Sequence, residues 1–192
     1  NAFYSSNFDE ALIITIDGGG EEPTTDRLLM CNFAVYFGND NKVYKIDAVD
    51  DHGQGDRRVI NMGSFWSKCT KNIFGLSSGY PKGHQAGTVM GMACLGTPKY
   101  QQEFFNYFKT GNTFDYSKYN QIASKSEQDT FDVAASLQYA TEMHFKDLIT
   151  PFIEKYDYEN ICISGGVSLN CVMAGKIYEW FPEIKSIYAD PM

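Results

Sequence analysis

Two short stretches of this 192-residue chain combine residue types that can do chemistry. Asp17-Gly18-Gly19-Gly20 follows the apolar run 11–16 ("ALIITI"), and Ser164-Gly165-Gly166 follows "ICI" at 161–163. Glycine lets the backbone take positive φ and present N–H groups that no side chain shields. A helix beginning just after Gly166 adds the positive end of its dipole. The natural guest of such a place is an anion, phosphate above all, and Asp17 at the strand tip is placed to hold a divalent cation beside it. Taken singly, a glycine pair after a strand also reads as a tight turn. Two pairs at the ends of neighbouring central strands bring a ligand cleft, which such sheets place there, level with the turn reading, and both stand at this point.

Other reactive residue types are less suitably placed. His52, His84 and His144 are far apart and show no zinc-ligand spacing, and His144 reads as a surface or packed residue of a long helix. Ser164 lies in "ISGGV", which lacks the G-x-S-x-G pattern of a nucleophile elbow. "KTGNT" at 109–113 lacks the leading glycine and the spacing of a phosphate loop. The Tyr and Phe cluster from Tyr100 to Phe108 reads as core or interface.

The elements that must position these residues follow from the apolar pattern. Residues 11–16 predict a buried strand ending in a flexible turn at Asp17–Gly20, and 27–37, the turn 38–41 and 42–49 predict a β-hairpin. The three strands form an antiparallel meander. Residues 51–58 read as loop, and 63–76 as a helix begun by Ser64. Residues 77–125 alternate glycine turns with short apolar patterns and read as a partly helical insertion. From 129 to 156 apolar residues recur at helical steps, including Phe145, Leu148, Ile149, Phe152, Ile153 and Tyr156, with Pro151 expected to kink or split the helix. Then come a buried strand at 161–164, a helix at 167–181 and a fifth strand at 186–190. The order β-β-β-α-β-α-β, with right-handed parallel crossovers, predicts an α/β fold: a five-stranded mixed sheet of ribonuclease-H-like type.

Composition narrows the class. A net charge of −8 with sixteen scattered Lys and Arg argues against a nucleic-acid partner. No run reaches the length of a membrane span. The five cysteines show no paired spacing and sit mostly in apolar runs, which fits a reduced, cytoplasmic protein. A start at Asn1 and a stop just after an apparent strand suggest a piece of something longer.

Several stretches, "NAFYSSNFDEALIITIDGGG", "MGSFWSKCTKNIFGL", "TVMGMACLG", "DVAASLQ" and "SGGVSLNCVMAGKI", together resemble the O-carbamoyltransferases of the nodulation and antibiotic-biosynthesis type. These belong to the actin and sugar-kinase superfamily and are related to the tRNA threonylcarbamoyl transferase and the hydrogenase-maturation carbamoyltransferase. The resemblance covers nearly the whole chain. It implies that 1–192 is a single lobe of an actin-like ATPase domain, truncated at both ends. The implied reaction is ATP-dependent: carbamoyl phosphate and ATP give carbamoyl adenylate, and the carbamoyl group passes to a hydroxyl-bearing small-molecule acceptor. It further implies nucleotide contacts at Gly18, Gly19, Gly165, Gly166 and Asn170, and a divalent metal, iron or magnesium, at Asp17. The family's paired histidines, placed before the first motif, and its later acidic ligand are not in this sequence. Where relatives carry an acidic residue and a lysine before M-G-L-A, this chain has Ala86 and Thr88. One metal ligand without its partners holds an ion weakly, so the chain alone is expected to be inactive. The competing expectations are a nucleotide-binding module without catalysis and the tRNA-modifying branch. The acceptor, the pathway and the oligomeric state are not legible.

Overall fold

In β1 (Glu10–Pro23), Leu12, Ile14 and Ile16 alternate with Ala11 and Ile13 across the pleat, and all five are buried. A strand covered on both faces must be central. β1 is: it pairs antiparallel with β2 (Leu28–Asn39) on one side and parallel with β4 (Asn160–Ser164) on the other. β3 (Lys42–Asp50) and β5 (Ser186–Ala189) complete a five-stranded mixed sheet in the order β3-β2-β1-β4-β5. The computed structural model of the chain describes residues 1–23, 28–50, 61–79 and 83–190. The loop expected at 51–58, with His52, lies outside the described residues.

The chain forms two units. The first, Asn1–Gly63 with Lys146–Met192, contains the sheet. One face buries Ala11, Ile13 and Cys162 under Ala2 and Phe3 of a short N-terminal helix, α1 (Ala2–Ser6), which the apolar pattern does not announce. Phe3 lies over Gly38, where any side chain would meet its ring. On the other face Phe33 meets Phe152 at a centroid distance of 6.2 Å. At the sheet's edge the N–H groups of Ser186 and Asp190 bond to carbonyls of Glu159 and Ile163, so the intervening Ile187 N–H points outward. It donates to Tyr178 Oη at 3.1 Å.

The second unit, Ser64–Phe145, is helical. It holds most of α2 (Met62–Asn72), then α3 (Ala86–Ala93), α4 (Gln101–Thr110), α5 (Tyr116–Ala123) and the first part of α6 (Glu127–Lys155). Phe65 is its hub, stacked on Tyr107 at 4.2 Å and edge-on to Phe108 and Phe114 at 5.1 and 5.0 Å. Within the stretch from Tyr100 to Phe108, Phe104 and Phe108 are buried core, and Tyr100, Phe105 and Tyr107 are half-buried. His144 stacks on Phe108 and is buried too. Residues 96–100 are fastened to α6. Gly96 lies against the Phe131 carbonyl, Asp132 accepts from Thr97 N–H at 2.8 Å and pairs with Lys99, and Ser136 Oγ accepts from Tyr100 N–H at 2.9 Å.

Three sequence expectations are corrected and a fourth is narrowed. β1 does not end at Asp17: after a register shift between Ile16 and Gly20 it goes on pairing with β2, because the hairpin ladder satisfies the backbone of the polar residues beyond. The helix expected at 167–181 is a 3₁₀ turn (Gly166–Leu169) followed by two short helices, α7 (Cys171–Gly175) and α8 (Ile177–Trp180). Of the two outcomes expected at Pro151, the split does not occur, since α6 runs through it as one helix; the proline removes one main-chain bond, while buried Ile149, Phe152 and Ile153 hold the turns around it. α2 begins at Met62 and stops at Asn72, not at residue 76. Among the described residues no helix is long and apolar enough to cross a membrane.

Candidate functional site

The site is built where β1 and β4 run side by side. Their parallel register pairs Leu12 with Ile161 and Thr15 with Ser164, so Asp17-Gly18 and Gly165-Gly166 leave the ladder next to each other. Gly165 has φ 94°, a conformation glycine adopts without strain. A Cβ there would fall on the Ile16 carbonyl oxygen and stand 2.8 Å from its carbon. What requires glycine at 165 is therefore the backbone of β1 itself. At Gly166 the neighbour is different: a Cβ would stand 3.0 Å from Asp17 Oδ1, so the Asp17 carboxylate lies against an exposed glycine.

The Gly165 carbonyl is fixed from behind, accepting from Ser168 N–H at 2.9 Å and from Ser168 Oγ at 2.7 Å. These bonds close the 3₁₀ turn. Asn170 then caps α7, its Oδ1 accepting from Met173 N–H at 3.1 Å. The helix dipole expected directly behind Gly166 is replaced by one 3₁₀ turn and a five-residue helix. On the β1 side, Asp17 Oδ1 accepts from Gly18 N–H at 2.6 Å. Asn61 Nδ2 donates to the Gly18 carbonyl at 2.7 Å. Gly63 packs on the same irregular stretch of β1, where a Cβ would stand 2.6 Å from Gly18 Cα.

Of the residues singled out in the sequence, Asp17, Gly18, Gly165 and Gly166 come together, with Gly19 next in the chain. The Asn170 side-chain oxygen is engaged in capping. Asn61, Gly63 and Ser168 were not read as site residues. In the sequence Gly63 stands just ahead of the helix expected to begin at Ser64, where a glycine is ordinary, and nothing marks Asn61.

Asp17 is a single carboxylate, and one of its oxygens already accepts a hydrogen bond. Among the described residues no three His, Cys, Asp or Glu side chains converge to hold a metal ion. These residues alone do not fit a divalent cation, and no step is assigned to one. Burial pushes the Cys69 and Cys162 thiols up, which suits packing and not nucleophilic attack. A concavity of about 420 Å³ opens at the opposite strand ends, lined by Asp9, Glu10 and Asp40 among others. No glycine is among the residues that line it, so it offers none of the bare main chain found at the Asp17 end, which remains the candidate.

Comparison with known proteins bears on this arrangement. The uncharacterized protein sll1178 of Synechocystis sp. is 28% identical over 219 residues, an alignment covering 100% of this chain and 32% of that protein. The chain thus spans about a third of the length of the curated relative it matches. Among solved structures, the activator of 2-hydroxyisocaproyl-CoA dehydratase from Clostridium difficile, with bound ADPNP, superposes with a TM-score of 0.50 at 9% identity, covering 95% of this chain and 54% of that one. Component A of (R)-2-hydroxyglutaryl-CoA dehydratase from Acidaminococcus fermentans gives a TM-score of 0.46 at 12% identity over 99% of this chain and 58% of that one. The likeness to the activator is one of fold, of the actin-like ATPase type. The family described as "Carbamoyltransferase N-terminus" matches residues 1–192, and the chain belongs to it.

Proposed function

We propose that this chain is the nucleotide-facing lobe of an O-carbamoyltransferase that uses ATP and carbamoyl phosphate. In this reaction carbamoyl phosphate loses phosphate to water, the resulting carbamate displaces pyrophosphate from ATP to form carbamoyl adenylate, and a small-molecule hydroxyl takes the carbamoyl group with release of AMP. Family membership supports the transfer of a carbamoyl group. The observation that carries the nucleotide part is the parallel pairing that sets Asp17-Gly18 beside Gly165-Gly166. Main chain unshielded by side chains suits phosphate oxygens. Gly166, exposed and lying against Asp17, is where the approach is least obstructed. In this reading Gly18, Gly19, Gly165 and Gly166 contact the nucleotide, and Asn170 holds the turn that presents Gly166. Asp17 would supply one ligand to iron or magnesium, with the remaining ligands coming from outside the described residues.

The test is carbamoyl-phosphate-dependent release of AMP by the full-length protein, with and without Asp17→Ala. Turnover should fall by about a hundredfold or more, the scale of losing a preorganised polar group at a reacting centre. Unchanged turnover removes Asp17 from the site. No AMP release from the unmodified protein, with ATP, a divalent metal, carbamoyl phosphate and a panel of hydroxyl acceptors supplied, defeats the carbamoyl-adenylate reading.

A further inference from the structure

Gly18 is held at three points. Its N–H donates to Asp17 Oδ1 at 2.6 Å, its carbonyl accepts from Asn61 Nδ2 at 2.7 Å, and Gly63 closes on its Cα so tightly that a Cβ at 63 would also stand 2.9 Å from the Asp17 carbonyl carbon. Asn61 is 43 residues away in sequence, so this bond is a tertiary choice and not a property of the local chain. Successive glycines have the widest backbone freedom of any pair, and a peptide between them turns over readily unless something fixes it. A trans peptide is planar, with its C=O and N–H on opposite sides. Tying the Gly18 carbonyl to Asn61 therefore directs the Gly19 N–H to the side away from Asn61.

On the strength of the nucleotide reading above, we infer that Asn61 is a positioning residue: it sets the Gly18–Gly19 peptide so that the Gly19 N–H donates to a nucleoside phosphate. Asn61 acts through Gly18 and does not touch the ligand. Gly63 serves the same end by leaving room for the stretch of β1 that Asn61 holds.

Calorimetric binding of ATP and of adenosine to the full-length protein tests this, using wild type, Asn61→Ala and the size-conserving Asn61→Leu. Both variants should bind ATP about tenfold more weakly, the scale of one lost hydrogen bond, while adenosine affinity stays within about twofold. A merely structural Asn61 would weaken both ligands alike; that result, or unchanged ATP affinity in a folded variant, overturns the inference. If neither variant folds, the unmodified protein decides: ATP should slow amide hydrogen exchange around Gly19 and adenosine should not, and equal exchange with the two ligands overturns it. A wild-type protein that binds neither ligand defeats the nucleotide reading instead, so the two failures are told apart.

Discussion

The two glycines after β4 look alike in sequence and differ in what they tolerate. At Gly165 an added methyl meets the Ile16 backbone and φ is positive, so neither a side-chain shift nor a rotamer change relieves the clash. Gly165→Ala should destabilise the protein by about 2–4 kcal/mol in urea unfolding, the sum of backbone strain and overpacking. At Gly166 the added methyl meets only the end of the Asp17 side chain, which can turn aside. Gly166→Ala should therefore change stability by less than about 1 kcal/mol and lower ATP affinity, with calorimetry and unfolding measured on the same sample. The sequence made Asp17 and the glycine pairs visible because a missing Cβ is itself a signal. It could not show that the backbone of β1 leaves no room for a side chain at Gly165, nor that Gly18 leaves none at Gly63, since each partner is distant along the chain.

At the level of elements, the apolar periods found the five strands, their order and the long helix, and failed where local hydrogen bonds decide. "DGGG" has little strand propensity and reads as a turn, yet the pairing of β2 carries β1 past it. Residues 167–181 have a helical period, but the Ser168 bond to Gly165 and the Asn170 cap interrupt it. The cap gives a prediction. Asn170→Ala should lose about 1 kcal/mol in thermal unfolding, while Asn170→Asp, which caps as well, should lose almost nothing. Asp132 does a comparable job in the helical unit. The Lys99 ammonium, with Thr97 N–H and Gln128, holds its carboxyl down to about 2 against the opposing effect of burial. A carboxyl lower when folded than its unfolded value of about 4 contributes stability in full above that pH and loses it as pH falls toward the folded value. Acid titration followed by circular dichroism should therefore show the wild type losing stability between about pH 4 and pH 2 more steeply than Asp132→Asn does. Equal slopes would mean that the tie to residues 97–99 contributes nothing.

For the molecule as a whole, the chain matches the N-terminal part of its family and spans about a third of its curated relative. Residues 1–192 alone should release no AMP from ATP and carbamoyl phosphate under conditions in which the full-length protein does, because among the described residues no further acidic or histidine side chains join Asp17 to complete a catalytic centre. The edge of the sheet has a further consequence, for solubility. A strand edge with open donors invites another chain to dock and propagate, and on β5 the Ile187 donor is stoppered by a phenol from the same chain. Tyr178→Phe would pull that stopper while leaving the ring, and light scattering at rising concentration should then show the variant clustering before the wild type does.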